Sequence, residues 1–185
     1  VPSILARRYP NYSHLRDTVS TLGTSQSPVK QQIRAWLILL GIFFLLFAAG
    51  QTAQFHEITW RHWLYVAGIV AFGLGAGILA GVFPEDPAGI RETVSGKIHG
   101  IGSGCGFILL LLTPLWARAM AECASVRIWN ILLFSIGLIT FVLFLVAGKG
   151  NGPLTGLTGL WQRLCLASLY GALIMNALVI RDSAL

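Results

Sequence analysis

Residues 128–148 read IWNILLFSIGLITFVLFLVAG, twenty-one consecutive positions without Asp, Glu, Lys or Arg. A run of about 20 apolar residues, rising 1.5 Å each as a helix, matches the roughly 30 Å hydrocarbon core of a bilayer. Four further windows are equally free of charge: 35–55, 63–84, 99–117 and 164–180. Together the five windows hold 100 of the 185 residues and none of the 13 Lys and Arg or 7 Asp and Glu. Charged residues make up 11% of the chain against about 25% in ordinary soluble domains. The pattern predicts an all-α, polytopic transmembrane helical bundle. Its five spans are expected at about 35–53, 63–82, 99–117, 128–148 and 159–179, within a bundle of 35–182 that follows a polar interfacial arm of residues 1–34.

The net charge of +6 is spread along the edges of the apolar windows, with no basic run of five. It reads as topology signal and contact with anionic headgroups, so membrane lipids are expected as partners and nucleic acid is not. Cys105, Cys123 and Cys165 lack metal or redox spacing, so neither a metal nor a cofactor is expected. GLGAG (73–77) and GIGSGCG (100–106) resemble phosphate loops only superficially, because both fall inside apolar helices. Gly73, Gly77 and Gly81, and the pairs Gly100/Gly104 and Gly102/Gly106, read instead as small-residue stripes for close helix packing. Pro114 is expected to bend or end the third span. Trp60, Trp63 and Tyr65 suit an interfacial aromatic belt, and His14, His56 and His62 surface or interfacial positions. In the arm, Leu15, Val19 and Leu22 recur at helical spacing. They predict a short interfacial helix over Ser13–Leu22 with Ser13 as N-cap.

Counting spans gives the first functional inference. With five crossings, the arm, the second loop (83–98) and the fourth loop (149–158) share one membrane side. On that side stand Asp17, Ser20, Glu85, Asp86, His99, Gln162 and Arg163. Ionisable groups at a span boundary are costly unless paired or wetted. A pocket roofed by the arm and lined by Asp86, His99 and Arg163 follows, with His99 on the same helical face as Ser103 and Gly106. Each residue also has a plainer role open to it. Asp86 suits a loop cap, Glu85 a solvated loop charge, His99 an interfacial site, Arg163 a headgroup contact and Asp17 a partner for Arg16.

YPNYSHLRDTVSTLG (9–23), GVFPEDP (81–87) followed by His99–Gly100, and GLWQR (159–163) resemble the bacterial and archaeal membrane proteins grouped as domain of unknown function 998. The resemblance implies a multi-pass protein of a prokaryotic cell membrane, usually of six spans, with no established activity. Matched to its motifs are Asp17, Ser20, Gly23, Pro84, Asp86, His99, Gln162 and Arg163. Its members carry a span ahead of the arm motif, so a first helix is expected before Val1. Orientation stays open. Nine Lys and Arg on the arm side against four on the other favour a cytoplasmic arm, whereas six spans from a cytoplasmic N-terminus put the arm outside.

Three functional classes compete. The favoured one is a non-enzymatic bundle that binds a lipid, a small molecule, a membrane-protein partner or a second copy of itself through the polar pocket (Asp17, Ser20, Asp86, His99, Gln162, Arg163). The alternative is an intramembrane hydrolase or transferase acting on a lipid headgroup, with Asp86 and His99 as candidate catalytic residues and Arg163 as anion holder. A transporter ranks below both, because the spans lack midplane charges and an evident repeat.

Overall fold

The computed structural model describes every residue except 56, 57, 88, 90, 151, 153, 184 and 185, and only the backbone of 181–183. His56 lies outside the described residues. Among the described residues, five helices are long and apolar enough to cross a membrane. A short helix α1 (Pro2–Ala6) opens the arm and a 3₁₀ turn (Ser20–Gly23) closes it. The long helices are α2 (Lys30–Gln54), α3 (Trp60–Val82), α4 (Val94–Met120), α5 (Ala124–Gly148) and α6 (Thr158–Ser183).

α2 runs beyond its charge-free window at its N-terminal end, where its charged residues find partners. Lys30 reaches the Ser25 carbonyl at 3.0 Å. Arg34 donates from Nε to Gly81 O at 2.9 Å and from Nη2 to Val82 O at 2.8 Å. These are carbonyls at the C-terminus of α3, which lack intrahelical donors.

α3 is the pivot of the bundle, and its glycines set how closely its neighbours approach. A Cβ on Gly77 would lie 2.5 Å from the Gly41 Cα of α2, and one on Gly81 would lie 2.8 Å from the Arg34 carbonyl. The opposite face of α3 meets α4, where a Cβ on Gly106 would lie 3.1 Å from Ala71 O. Between these contacts, Gly73–Leu79 winds as a π-helix. α4 packs on α5 and α5 on α6, and α6 returns to touch α2, so five helices enclose a central space. Its middle is an aromatic cluster in which Phe72 meets Phe44 at 4.9 Å, Phe107 at 5.4 Å and Tyr170 at 5.9 Å between ring centroids. Asn130 and Asn176 exchange amide hydrogen bonds of 2.9 Å in each direction between α5 and α6.

Two expectations are corrected. Pro114 does not end α4, which continues to Met120. The Leu110 carbonyl, left without its usual i+4 donor, accepts the Thr113 hydroxyl at 2.7 Å. Ser13–Leu22 is not a helix either: turns lead into the 3₁₀ segment at Ser20. The backbone groups a helix would have consumed are spent on α6. Gly159 N–H donates to Arg16 O at 3.1 Å and Leu160 N–H to Leu15 O at 2.9 Å. A long-range partner for the arm thus outcompetes its weak local propensity.

Candidate functional site

The start of α6 clamps the arm. Gln162 Oε1 accepts the Val19 N–H at 2.8 Å. Arg163 donates from Nη1 to His14 O, Asp17 O and Gly159 O at 2.8–2.9 Å and from Nη2 to the Tyr12 hydroxyl at 2.6 Å. Gly159 is required here. A Cβ would collide with the Asp17 carbonyl and come within 2.7 Å of both Arg163 Nη1 and His14 O. Beneath the arm, Leu22, Val29 and Ile33 form a small core of their own with Ala6.

With the arm docked, Ser20 comes over α4. His99 is 6% exposed. Its Nδ1 lies 3.0 Å from Phe83 O and its Nε2 3.1 Å from Ser20 Oγ. A carbonyl oxygen only accepts, so Nδ1 carries a ring proton, and where that is the ring's only proton Nε2 accepts from the serine hydroxyl. Glu85 lines the same cavity as this pair and Thr18, close enough for the His99 charge and the Thr18 hydroxyl to act on its carboxyl. Burial pushes its carboxyl above the ordinary range. The neighbouring Asp86 adds to this, while the His99 charge and the Thr18 hydroxyl oppose it.

Two of the expected site carboxylates turn elsewhere. Asp86 accepts the Thr93 N–H at 2.7 Å and the Thr93 hydroxyl at 2.8 Å. Thr93 is the N-cap of α4 and accepts the Gly96 N–H at 3.1 Å, so Asp86 secures the start of that helix rather than His99. Gly96 leaves room for this, because its Cβ would overlap the Asp86 carboxylate. Asp17 accepts the Ser13 N–H at 2.8 Å and pairs with Arg16 at 3.0 Å. Burial works against its ionisation, but the Arg16 and Ser13 bonds and the Arg163 charge outweigh that and hold it below the usual carboxylate value.

Ser20, His99, Gln162 and Arg163 therefore gather on one cavity of about 400 Å³, and the carboxylates of Asp17 and Asp86 do not line it. Thr18, Ser20, Glu85, His99, Ser103 and Arg163 form its polar end. Leu37, Leu40, Phe72, Phe107, Phe141, Phe144, Leu166 and Tyr170 form an apolar floor within the bundle. Gly100 and Gly104 belong to this wall and not to a helix contact: a Cβ on either meets nothing within 4 Å. Gly106, expected on the His99 face, packs against α3 instead.

Glu85 is the polar residue that sequence reasoning set aside. The only local hint was its pairing with Asp86 between two prolines. A second cavity, of about 550 Å³, opens toward the other end of the bundle and is lined by Gln54, His62, Tyr65, Glu122, Cys123 and Asn176. The Tyr65 hydroxyl there is fully buried with no partner among the described residues. His62 closes a capping box with Thr59 at the start of α3. No group of three His, Cys, Asp or Glu able to hold a metal occurs among the described residues.

Five apolar helices around an amphipathic cavity define a multi-pass helical membrane protein. The chain belongs to the family described as protein of unknown function DUF998, whose profile matches residues 1–179. No curated protein and no solved structure matches it.

Proposed function

We propose that this protein binds one membrane amphiphile. Its acyl chain would lie on the phenylalanine floor and its polar head against Ser20, Glu85, His99 and Arg163. One observation carries the reading: a single cavity of about 400 Å³ joins an aromatic interior to a cluster of hydrogen-bonding and charged groups at one end of the bundle. Ligand sites of roughly 300–1,000 Å³ with a mostly apolar lining and a few converging polar groups are the usual form of a specific pocket.

In a membrane, lateral burial of acyl chain against protein gains little over lipid, so selectivity must come from the polar end. There the donors are the remaining Arg163 N–H groups and the acceptors are Glu85 and the hydroxyl oxygens, which suits a head carrying both an anionic oxygen and a cationic group. The docked arm is the roof, and the six hydrogen bonds that fix it to α6 keep the pocket formed.

The test is native mass spectrometry of the detergent-purified protein titrated with a single-chain phosphocholine. The expected result is one saturable adduct per chain, surviving delipidation. Adducts that accumulate without saturating at one would contradict the proposal.

A further inference from the structure

We propose that Ser20 and His99 are a nucleophile–base pair that cleaves a carboxylic ester of an amphiphile held in the arm-side cavity; the inference rests on the binding reading above. Its first support is geometry. Ser20 Oγ and His99 Nε2 are 3.1 Å apart, within the reach that proton transfer from a nucleophile to its base requires. The second is the orientation of the base. Nδ1 is tied to Phe83 O at 3.0 Å, which fixes the tautomer that leaves Nε2 free to take the serine proton. The third is placement: both side chains stand at the polar end of the cavity, directly above the apolar floor.

A bond from Ser20 to His99 is not needed to hold the arm. Gly159, Leu160, Gln162 and Arg163 already anchor it. Two neighbours complete the chemistry. Glu85 lines the same cavity and, when ionised, stabilises the imidazolium that forms during attack, which makes it a positioning residue. Arg163 spends both Nη1 hydrogens and one Nη2 hydrogen on the arm and Gly159. Its Nε–H and second Nη2 hydrogen lie outside those bonds, on a guanidinium that lines the same cavity and offers charge to the ester oxygen.

In the step itself, Ser20 Oγ bonds to the ester carbonyl carbon while its proton passes to His99 Nε2. The tetrahedral adduct collapses with cleavage of the bond to the alkoxy oxygen, and His99 returns the proton to that leaving alcohol. A water molecule, deprotonated by the same nitrogen, then cleaves the acyl–Ser20 ester. A carboxylic acid is released and Ser20 is restored.

The experiment uses the full chain in lipid nanodiscs with a long-chain alkyl fluorophosphonate, which phosphonylates an activated serine with loss of fluoride. Peptide mapping of the wild-type protein is expected to place the adduct on Ser20. Ser20→Ala should abolish it and His99→Gln should slow it by about 100-fold, the lower range for removing a general base. In parallel, the wild-type protein is titrated with a non-reactive alkyl phosphocholine. Phosphocholine binding without an adduct at Ser20 overturns the pair and leaves the binding reading standing. Absence of both overturns both. Labelling of His99→Gln at the wild-type rate removes His99 as the base. The wild-type mapping requires no variant to fold, so it decides by itself whether Ser20 is activated.

Discussion

Arg163 Nη2 stands 2.6 Å from the Tyr12 hydroxyl, joining two residues 151 positions apart, and the guanidinium carbon lies 6.0 Å from the Tyr12 ring centroid. The pair is the hinge pin between arm and bundle, since the same guanidinium also holds the carbonyls of His14 and Asp17. Hydrogen bonds to a charged donor contribute about 1.5–3 kcal/mol each when buried, less at this partly exposed site. Arg163→Gln is therefore expected to release the arm while leaving the five helices folded. Hydrogen exchange should report it as at least a tenfold loss of protection over residues 12–22 with α2–α5 unchanged. Equal loss across the whole chain would contradict a local anchor.

Gly96 and Gly104 lie on one helix yet should respond oppositely to alanine. Within a helix Gly→Ala ordinarily gains up to about 1 kcal/mol. Gly104→Ala adds a methyl to open space, so its thermal midpoint is expected to rise or hold. Gly96→Ala drives that methyl into the Asp86 carboxylate, so it should lose stability, and Asp86→Ala should lose about 1 kcal/mol through the weakened N-cap. A Gly96→Ala protein as stable as wild type would refute the role given to Asp86.

Glu85 sets a pH dependence whose sign follows from its raised carboxyl. The folded state binds this proton more tightly than the unfolded chain, where the value is near 4.5. The associated stability is complete below that value and is lost as pH rises through the higher folded value. As pH rises above 4.5, wild type should thus lose more thermal stability than Glu85→Gln. Asp17 works in the opposite sense, with its lowered carboxyl losing stability only as pH falls below 3.8. A steeper decline in Glu85→Gln than in wild type would contradict the burial of Glu85.

Asn130 and Asn176 are both fully satisfied, each also donating to a carbonyl of its own helix, Val126 O at 3.0 Å and Ala172 O at 2.8 Å. Interhelical hydrogen bonds of this type are worth about 0.6–1.7 kcal/mol in membranes. Asn130→Leu and Asn176→Leu should each destabilise, and the double variant should cost less than their sum. Strict additivity in that cycle would deny the coupling.

The spans were legible because charges are expensive in hydrocarbon, and their absence over 128–148 or 35–55 needs no tertiary context to interpret. The helix ends were less so, since Arg34 belongs inside α2 only through the carbonyls of Gly81 and Val82, 47 and 48 residues away. The same nonlocality hid the arm's conformation, which is decided by Gly159 and Leu160, and the placement of Glu85 beside His99. The glycine pairs of α4 show another limit. Gly100/Gly104 and Gly102/Gly106 share one spacing, but an offset of two residues turns them about 200° apart. One pair consequently lines the cavity and the other packs on α3, and spacing alone does not assign them. Counting spans puts Ser20, His99, Gln162 and Arg163 on one side, whereas their hydrogen bonds depend on the docked arm and are not readable from spacing.

The proposed binding is tested most directly by filling the cavity. Gly104→Leu places a side chain into the arm-side cavity, and Gly50→Leu places the same side chain into open space on α2, outside that cavity. In native mass spectrometry with a single-chain phosphocholine, the account predicts that Gly104→Leu loses the saturable adduct by tenfold or more in apparent affinity while Gly50→Leu binds as wild type does. Undiminished binding to a folded Gly104→Leu protein would contradict it.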